Sequence, residues 1–351
     1  MFRNIRIDNF KVINHIEIGD FKRINLFVGK NNCGKSTVLE ALYLLSAPHD
    51  AQRLFDINEQ RCLTVTDDTV WSLFFHNLDD SSSIELSGEL LSLSQIRTLK
   101  YSRPETILSG KRISKNTLER IFELRAGRIY EKRVTYIHYE QQEIREEELP
   151  QPTMPKKIVH PYKEQLYSRF CSSDNALESI ISVFNRIQVK KHTGRLIKVM
   201  KKIEPSIESI VNVGSSIYCD AGFNSLIPLN MMGDGIIRLF SIISTICDAH
   251  NEIGGGGIVL IDEVEKGLHY SVLDELWDAI YEAATEFDVQ VFATTHSMEC
   301  IRALAEFYRS KSTESDEIRM YRLEQYNGKY DAVDFNSELI IATLDSNWEV
   351  R

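Results

Sequence analysis

The stretch Gly29-Lys30-Asn31-Asn32-Cys33-Gly34-Lys35-Ser36-Thr37 decides the fold of this chain. It fits G-x-x-x-x-G-K-[ST] at every fixed position, the pattern of a loop that cradles phosphate. Its setting fits as well. RINLFVG, residues 23–29, is a mostly apolar run that reads as a strand and ends on glycine. From Lys35 the spacing changes: Val38, Leu39, Leu42 and Leu45 recur at three- and four-residue steps, predicting a helix that Pro48 brings to an end. In such a strand–loop–helix the glycines let backbone N–H groups turn inward as an anion nest. The helix N-terminus adds a partial positive charge. Lys35 can then reach the β- and γ-phosphates of a nucleotide, and the Ser36 hydroxyl can join a magnesium shell. Cys33 admits two readings: a thiol activated by the helix N-terminus as a redox switch, or a small residue that merely fits the loop.

Further along, Ile258-Val259-Leu260-Ile261 is an apolar strand ending in two carboxylates, Asp262 and Glu263. Either alone reads as a strand-end turn residue. Paired with a phosphate loop, Asp262 supports magnesium and Glu263 polarises an attacking water. The next apolar run, VQVFATT (289–295), closes on His296 and Ser297. His296 would face the γ-phosphate, and Ser297 is a good N-cap for the helix that follows. Ile5, Ile7, Ile16 and Ile18 alternate with polar residues and predict strands, as do SSIYCD (215–220), NSLIPLN (224–230) and IRMYRLE (318–324). Residues 235–246, 268–284 and 298–308 read as helices. Strands separated by crossover helices argue for an α/β fold with a parallel sheet.

The composition is that of an ordinary globular protein: 351 residues, 43% hydrophobic and 26% charged, about two domains' worth. No apolar run reaches the ~18 residues of a membrane span, and MFRNIRIDNF meets Asp8 without an apolar signal core, so a cytoplasmic protein with no membrane partner is expected. The six cysteines, at 33, 62, 171, 219, 247 and 300, form no CxxC pair, which predicts free thiols rather than a zinc module. The net charge of −10 is unevenly spread: residues 97–202 hold 23 Lys and Arg against 12 Asp and Glu. Within that section a helix is predicted near 115–127, a strand at 134–139, an acidic run at 143–148 and a loop at 149–155. Residues 163–211 read as mainly helical, with basic positions such as Lys190, Lys191, Lys198, Lys201 and Lys202. The section is either a solvated helical surface or a surface for nucleic acid or an acidic partner.

Together these motifs resemble the ATP-binding-cassette-type ATPases of the structural-maintenance and RecF-like class. Within it the chain is most similar to the OLD-like ATPases of bacterial anti-phage systems. The likeness lies in IRIDNFKVINHIEI, INLFVGKNNCGKSTVLEALYLL, PLNMMGDGIIRLFSIIS, IVLIDEVEKGLHYSVLDELWDAI and VQVFATTHSMECIRAL. It implies a P-loop NTPase fold of ABC-ATPase type: α/β, a mixed sheet with flanking helices plus a helical lobe. Residues 1–95 and 215–351 would form the ATPase lobe, and 96–214 a basic, largely helical, partner-binding section. It implies that Gly29 to Thr37 is the Walker A loop for ATP. Asp262 and Glu263 would be Walker B with its catalytic glutamate, and His296 the switch histidine. Mg2+ would sit with Ser36 and Asp262.

Gly233-Asp234-Gly235, after Met232, stands where the family has its signature motif, which contacts the γ-phosphate bound by the opposite subunit. The LSGGQ-type serine is missing here. Arg238, one turn on, would either bring positive charge to ATP or pair with Asp234. Glu265 and His269 would serve the site or the subunit contact, or be a polar turn. Gln52 and Gln60 are candidates for the glutamine loop by distance alone. OLD proteins proper carry a C-terminal Toprim nuclease domain, for which the stretch after His296 is too short. The expectation is a slow ATPase switch, a homodimer or higher homo-oligomer controlling a separately encoded nuclease or toxin. The alternative is a RecF-like DNA-repair clamp whose 97–202 section tracks phosphates and binds less tightly as salt rises.

Overall fold

Three strands, Ile24–Val28, Gly257–Ile261 and Val289–Thr294, are buried at every position, as parallel strands covered on both faces must be. The structure is a computed structural model that describes residues 1–59, 70–91, 93–104, 107–108, 111–112, 117–127, 129–140, 143–148, 164, 166–172, 177–250, 256–311 and 316–345. Gln60, Cys62 and the loop read at 149–155 lie outside the described residues. The chain gathers into two compact units: Met1–Phe21, Asn32–Leu166 and Glu324–Ala332 in one, and Lys22–Asn31, Tyr167–Leu323 and Val333–Arg351 in the other. The chain passes between them inside the phosphate-loop motif.

The second unit is built on a six-stranded sheet in the order Tyr167–Cys171, Gly257–Ile261, Val289–Thr294, Ile24–Val28, Ile318–Tyr326, Lys329–Phe335. The first five run parallel. The buried Asn25 keeps its amide satisfied by donating to Lys22 O at 2.7 Å and Val291 O at 3.2 Å. Among the described residues, six α-helices belong to this unit: Leu177–Val189, Thr193–Ile203, Asp234–Asp248, Leu273–Glu286, Met298–Lys311 and Ser337–Asp345. Leu239, Ile243, Ile280, Ile301 and Leu304 from them form one apolar core with Leu26, Val259 and Val291 of the sheet. On the alternate strand positions Phe27 stacks near Phe292 and Tyr321, with ring centroids 6.3 and 5.6 Å apart. The edge is fastened by Asp248, which is fully buried and accepts from Arg169 Nε at 2.6 Å, Arg186 Nη2 at 2.8 Å and Lys190 Nζ at 3.4 Å.

The first unit is a seven-stranded antiparallel sheet. Its order is Glu143–Glu148, Ile129–Glu140, Thr117–Ala126, Gln95–Ser102, Ile84–Leu90, Ile5–Phe10, Ile13–Ile18. The helix Lys35–Ser46 packs on it. Arg97 is fully buried. It donates to Glu164 Oε1 at 2.8 Å and to the carbonyls of Leu45 and Ser46 at 3.3 and 3.1 Å, which satisfies the end of that helix.

Among its described residues, section 96–214 is not largely helical. The helix expected near 115–127 is the strand Thr117–Ala126: Leu118, Arg120, Phe122 and Leu124 are buried while Glu119, Ile121 and Glu123 are half-exposed. The two-residue period wins over the helical one because both flanking strands pair with it. The acidic run is an edge strand, with Glu147 and Glu146 side chains 70% and 38% exposed. The described part of the tail holds two strands and a helix where one strand was expected.

The positive excess of 97–202 is also answered in space by acids outside it. Arg103 pairs with Asp80, three cations meet on Asp248, Arg195 and Lys198 face Glu286, Lys201 faces Glu208 and Lys202 faces Glu282. The five described cysteines are free and buried. Among the described residues no helix is long and apolar enough to cross a membrane.

Candidate functional site

Parallel strands end on the same edge of a sheet, so three neighbours deliver three chemistries side by side. After Val28 comes Gly29, after Ile261 comes Asp262, and after Thr294 come Thr295 and His296. The Thr295 N–H donates to Phe27 O at 3.1 Å, which ties the histidine strand to the loop strand. The Asp262 N–H donates to Cys171 O at 3.0 Å on the other side. Ligands at the carboxyl ends of parallel strands are the rule for open α/β sheets.

The loop itself bends as its glycines allow. Gly29, Asn32 and Gly34 have φ of 140°, 64° and 95°, and Val38 N–H returns to Gly34 O at 2.9 Å to open the helix. A Cβ on Gly34 would lie 3.1 Å from Ile13 Cδ1 in addition to the strain of its left-handed backbone. Lys30 is exposed and Thr37 is buried. Cys33 is buried too, and burial pushes its thiol up despite the nearby Lys35 ammonium, whose Nζ lies 4.0 Å from Sγ. A redox switch needs the thiolate, so the structure favours the reading of Cys33 as a residue that fits the loop.

The two carboxylates are held by a residue the sequence did not single out. Thr294 Oγ1 donates to Asp262 Oδ1 at 2.6 Å and accepts the Glu263 N–H at 2.9 Å. Its carbonyl accepts from Val264 N–H at 3.0 Å. Only the register Ile261↔Ala293 brings Thr294 beside Asp262, and register is not written in either run of residues.

Glu263 has φ of +48°, the left-handed region, which turns its side chain out at 40% exposure. His296 Nδ1 lies 4.0 Å from Glu263 Oε1 and 3.4 Å from Glu265 Oε1. Ser297 caps the following helix as expected, accepting Cys300 N–H at 3.1 Å. Of the pair left open in the turn, Glu265 meets His296, whereas His269 turns to Ser271, accepting its N–H at 3.4 Å.

Gly233 and Asp234 are exposed, and the helix starts at Asp234 behind Gly233 at φ 100°. Arg238 makes contacts that neither reading foresaw. It is 6% exposed and donates from Nη2 to both Asp262 O and Glu263 O at 3.0 Å, and from Nη1 to Ser172 O at 2.9 Å. The helix that begins at Asp234 thus grips the backbone of the carboxylate turn. Backbone carbonyls have no sequence signature, so no spacing could have predicted this partner. Gln52, the other glutamine considered, lies on the helix Gln52–Glu59 of the first unit and bonds to Asp50 and Asp56 there.

Known proteins resemble this chain. Residues 24–302 match the family described as "AAA domain, putative AbiEii toxin, Type IV TA system". A Helicobacter pylori protein named ATP/GTP phosphatase is 24% identical over 356 residues, 93% of each chain. An uncharacterised protein of Methanocaldococcus jannaschii is 30% identical over 96 residues, 26% of this chain and 42% of that one. The crystal structure of an Smc head bound to the C-terminal winged-helix domain of ScpA superposes with a TM-score of 0.51 at 11% identity, over 96% of this chain and 98% of that one. That likeness shows an SMC-head, ABC-ATPase-like fold.

Proposed function

The chain belongs to this AAA family and is an ATPase of the P-loop kind, and from that premise we propose that it is a nucleotide-driven switch. In this reading the loop Gly29–Thr37 wraps the phosphates of ATP and Lys35 neutralises the β- and γ-phosphates. Glu263 polarises the attacking water and His296 faces the γ-phosphate. The observation that carries the reading is the joining of Asp262, Glu263 and His296 at the ends of adjacent parallel strands through Thr294 and Glu265. Ser36 and Asp262 offer hard oxygen donors, the set that suits Mg2+, and one Asp262 oxygen is already oriented by the Thr294 hydroxyl. The ion, when bound, neutralises charge on the phosphates.

Gly233-Asp234-Gly235 would meet the nucleotide of a second copy, so that ATP closes a dimer and hydrolysis releases it. The family's description points to an abortive-infection setting. A cytoplasmic OLD-like ATPase that holds a separately encoded toxin or nuclease in phage defence fits that setting. The DNA-clamp alternative stands second, because Arg186, Lys190, Arg195, Lys201 and Lys202 are engaged by acids of the chain itself.

The test is Glu263→Gln against Lys35→Ala. Glu263→Gln is expected to keep ATP binding, lose turnover by at least about a hundredfold and become a stable dimer with ATP and Mg2+ in light scattering. Lys35→Ala is expected to lose binding and remain monomeric. A Glu263→Gln protein that turns over ATP normally would remove the catalytic assignment. Affinity capture of the trapped dimer from its host, with nuclease treatment, then tells a neighbouring effector from bound nucleic acid.

A further inference from the structure

We propose that Glu265 is the positioning residue for His296; the proposal rests on the reading of His296 as the group that faces the terminal phosphate. One carboxylate oxygen serves both parts of the histidine. Glu265 Oε1 accepts the His296 backbone N–H at 3.2 Å and lies 3.4 Å from ring Nδ1. A carboxylate this close to Nδ1 favours the tautomer with its proton there, which leaves Nε2 to act on the opposite side of the ring. The geometry therefore assigns Glu265 the part of orienter and His296 the part of the contacting group.

The frame around Glu265 is rigid, as a positioning role requires. The residues before it are pinned to Thr294 through the Glu263 and Val264 N–H groups. Its own carbonyl accepts Leu268 N–H at 3.0 Å, closing a turn through Gly267 at φ +80°. Its side chain is 10% exposed, against 57% for His296 and 40% for Glu263.

The second oxygen is the independent sign. Glu265 Oε2 is out of solvent and has no hydrogen-bond partner among the described residues. A half-satisfied buried carboxylate is costly, and a polar turn before a helix has no use for one. A charge whose purpose is to act on the adjacent imidazole accounts for it. Glu263 faces the same Nδ1 only at 4.0 Å and is half-exposed, so the two acids divide the work: Glu265 holds the ring, and Glu263 stays available to water.

The experiment is a double-mutant cycle on the full chain, with steady-state ATP hydrolysis, equilibrium nucleotide binding and thermal unfolding read for each protein. Glu265→Ala is expected to lower kcat about 10- to 100-fold with the ATP Kd changed less than about twofold. In a His296→Ala background the same change is expected to cost nothing further, because a residue acting through another is silent once its partner is gone. Glu265→Gln preserves size and an acceptor for the N–H, and reads the cycle even where the alanine variant unfolds. Glu265→Asp, which keeps the charge, is expected to recover part of the loss. Equal losses in the presence and absence of His296, or an unchanged kcat, overturn the proposal. A wild-type protein indifferent to His296→Ala instead removes the role of His296, while loss of turnover in Lys35→Ala still reports on the ATPase reading separately.

Discussion

Glu263 sits in a backbone conformation, φ +48°, that costs an ordinary side chain on the order of 1 kcal/mol. It is held there from both ends: its N–H by Thr294 Oγ1 and its carbonyl by the Arg238 guanidinium. Strain of this kind persists where surrounding bonds over-determine it. Thr294→Ala, which deletes the hydroxyl shared by Asp262 and Glu263, is expected to lower kcat about 10- to 100-fold. Thr294→Ser should stay within about threefold of wild type, since the hydroxyl is the working part. Steady-state assays at saturating ATP, with an unfolding curve for each variant, decide it; an active Thr294→Ala protein would mean that the hydroxyl only fills space. The loop, both carboxylates and the histidine were legible because each lies in a short run whose spacing is local. Thr294 and Arg238 were not, because one acts through register between strands and the other on carbonyls that every residue has.

Among the elements, the edge strand Tyr167–Cys171 and the helices Leu177–Val189 and Asp234–Asp248 converge on one buried acid, Asp248. Burial alone would raise its pKa, but hydrogen bonds from Arg186 and Arg169 bring it below the usual carboxylate value. A depressed folded-state pKa contributes stability above the unfolded-state value, about 4, and that contribution is lost as pH falls through the lower folded-state value. Asp248→Asn is expected to cost about 3 kcal/mol at pH 7, the lower end for breaking a buried pair, because its three partners are 30–41% exposed and water screens them. The deficit relative to wild type should shrink below pH 4; urea titrations at pH 7 and pH 3 measure it, and an equal deficit at both would refute the charge argument. The strand Thr117–Ala126 shows why this level is harder to read. Leu118, Ile121, Phe122 and Arg125 fit a helical step as well as a strand, and only the neighbours on both sides choose between them.

For the molecule as a whole, charge counted along the chain proved a poor guide to charge in space, since acids distant in sequence answer many of the cations of 97–202. The expected outcome is duplex-DNA binding no tighter than the non-specific level, about 10⁻⁴–10⁻⁶ M at physiological salt. Fluorescence anisotropy across a salt series tests this. Binding well below that range with a steep salt slope would shift the reading to the DNA clamp. The last strand of the seven-stranded sheet has a different consequence. A sheet edge is a template on which other chains can stack, and the strand Glu143–Glu148 at this one exposes the carboxylates of Glu146 and Glu147. Two molecules meeting edge to edge would set like charges opposite one another at strand spacing. An acidic border of this kind disfavours the fibre-like stacking of one molecule on the next.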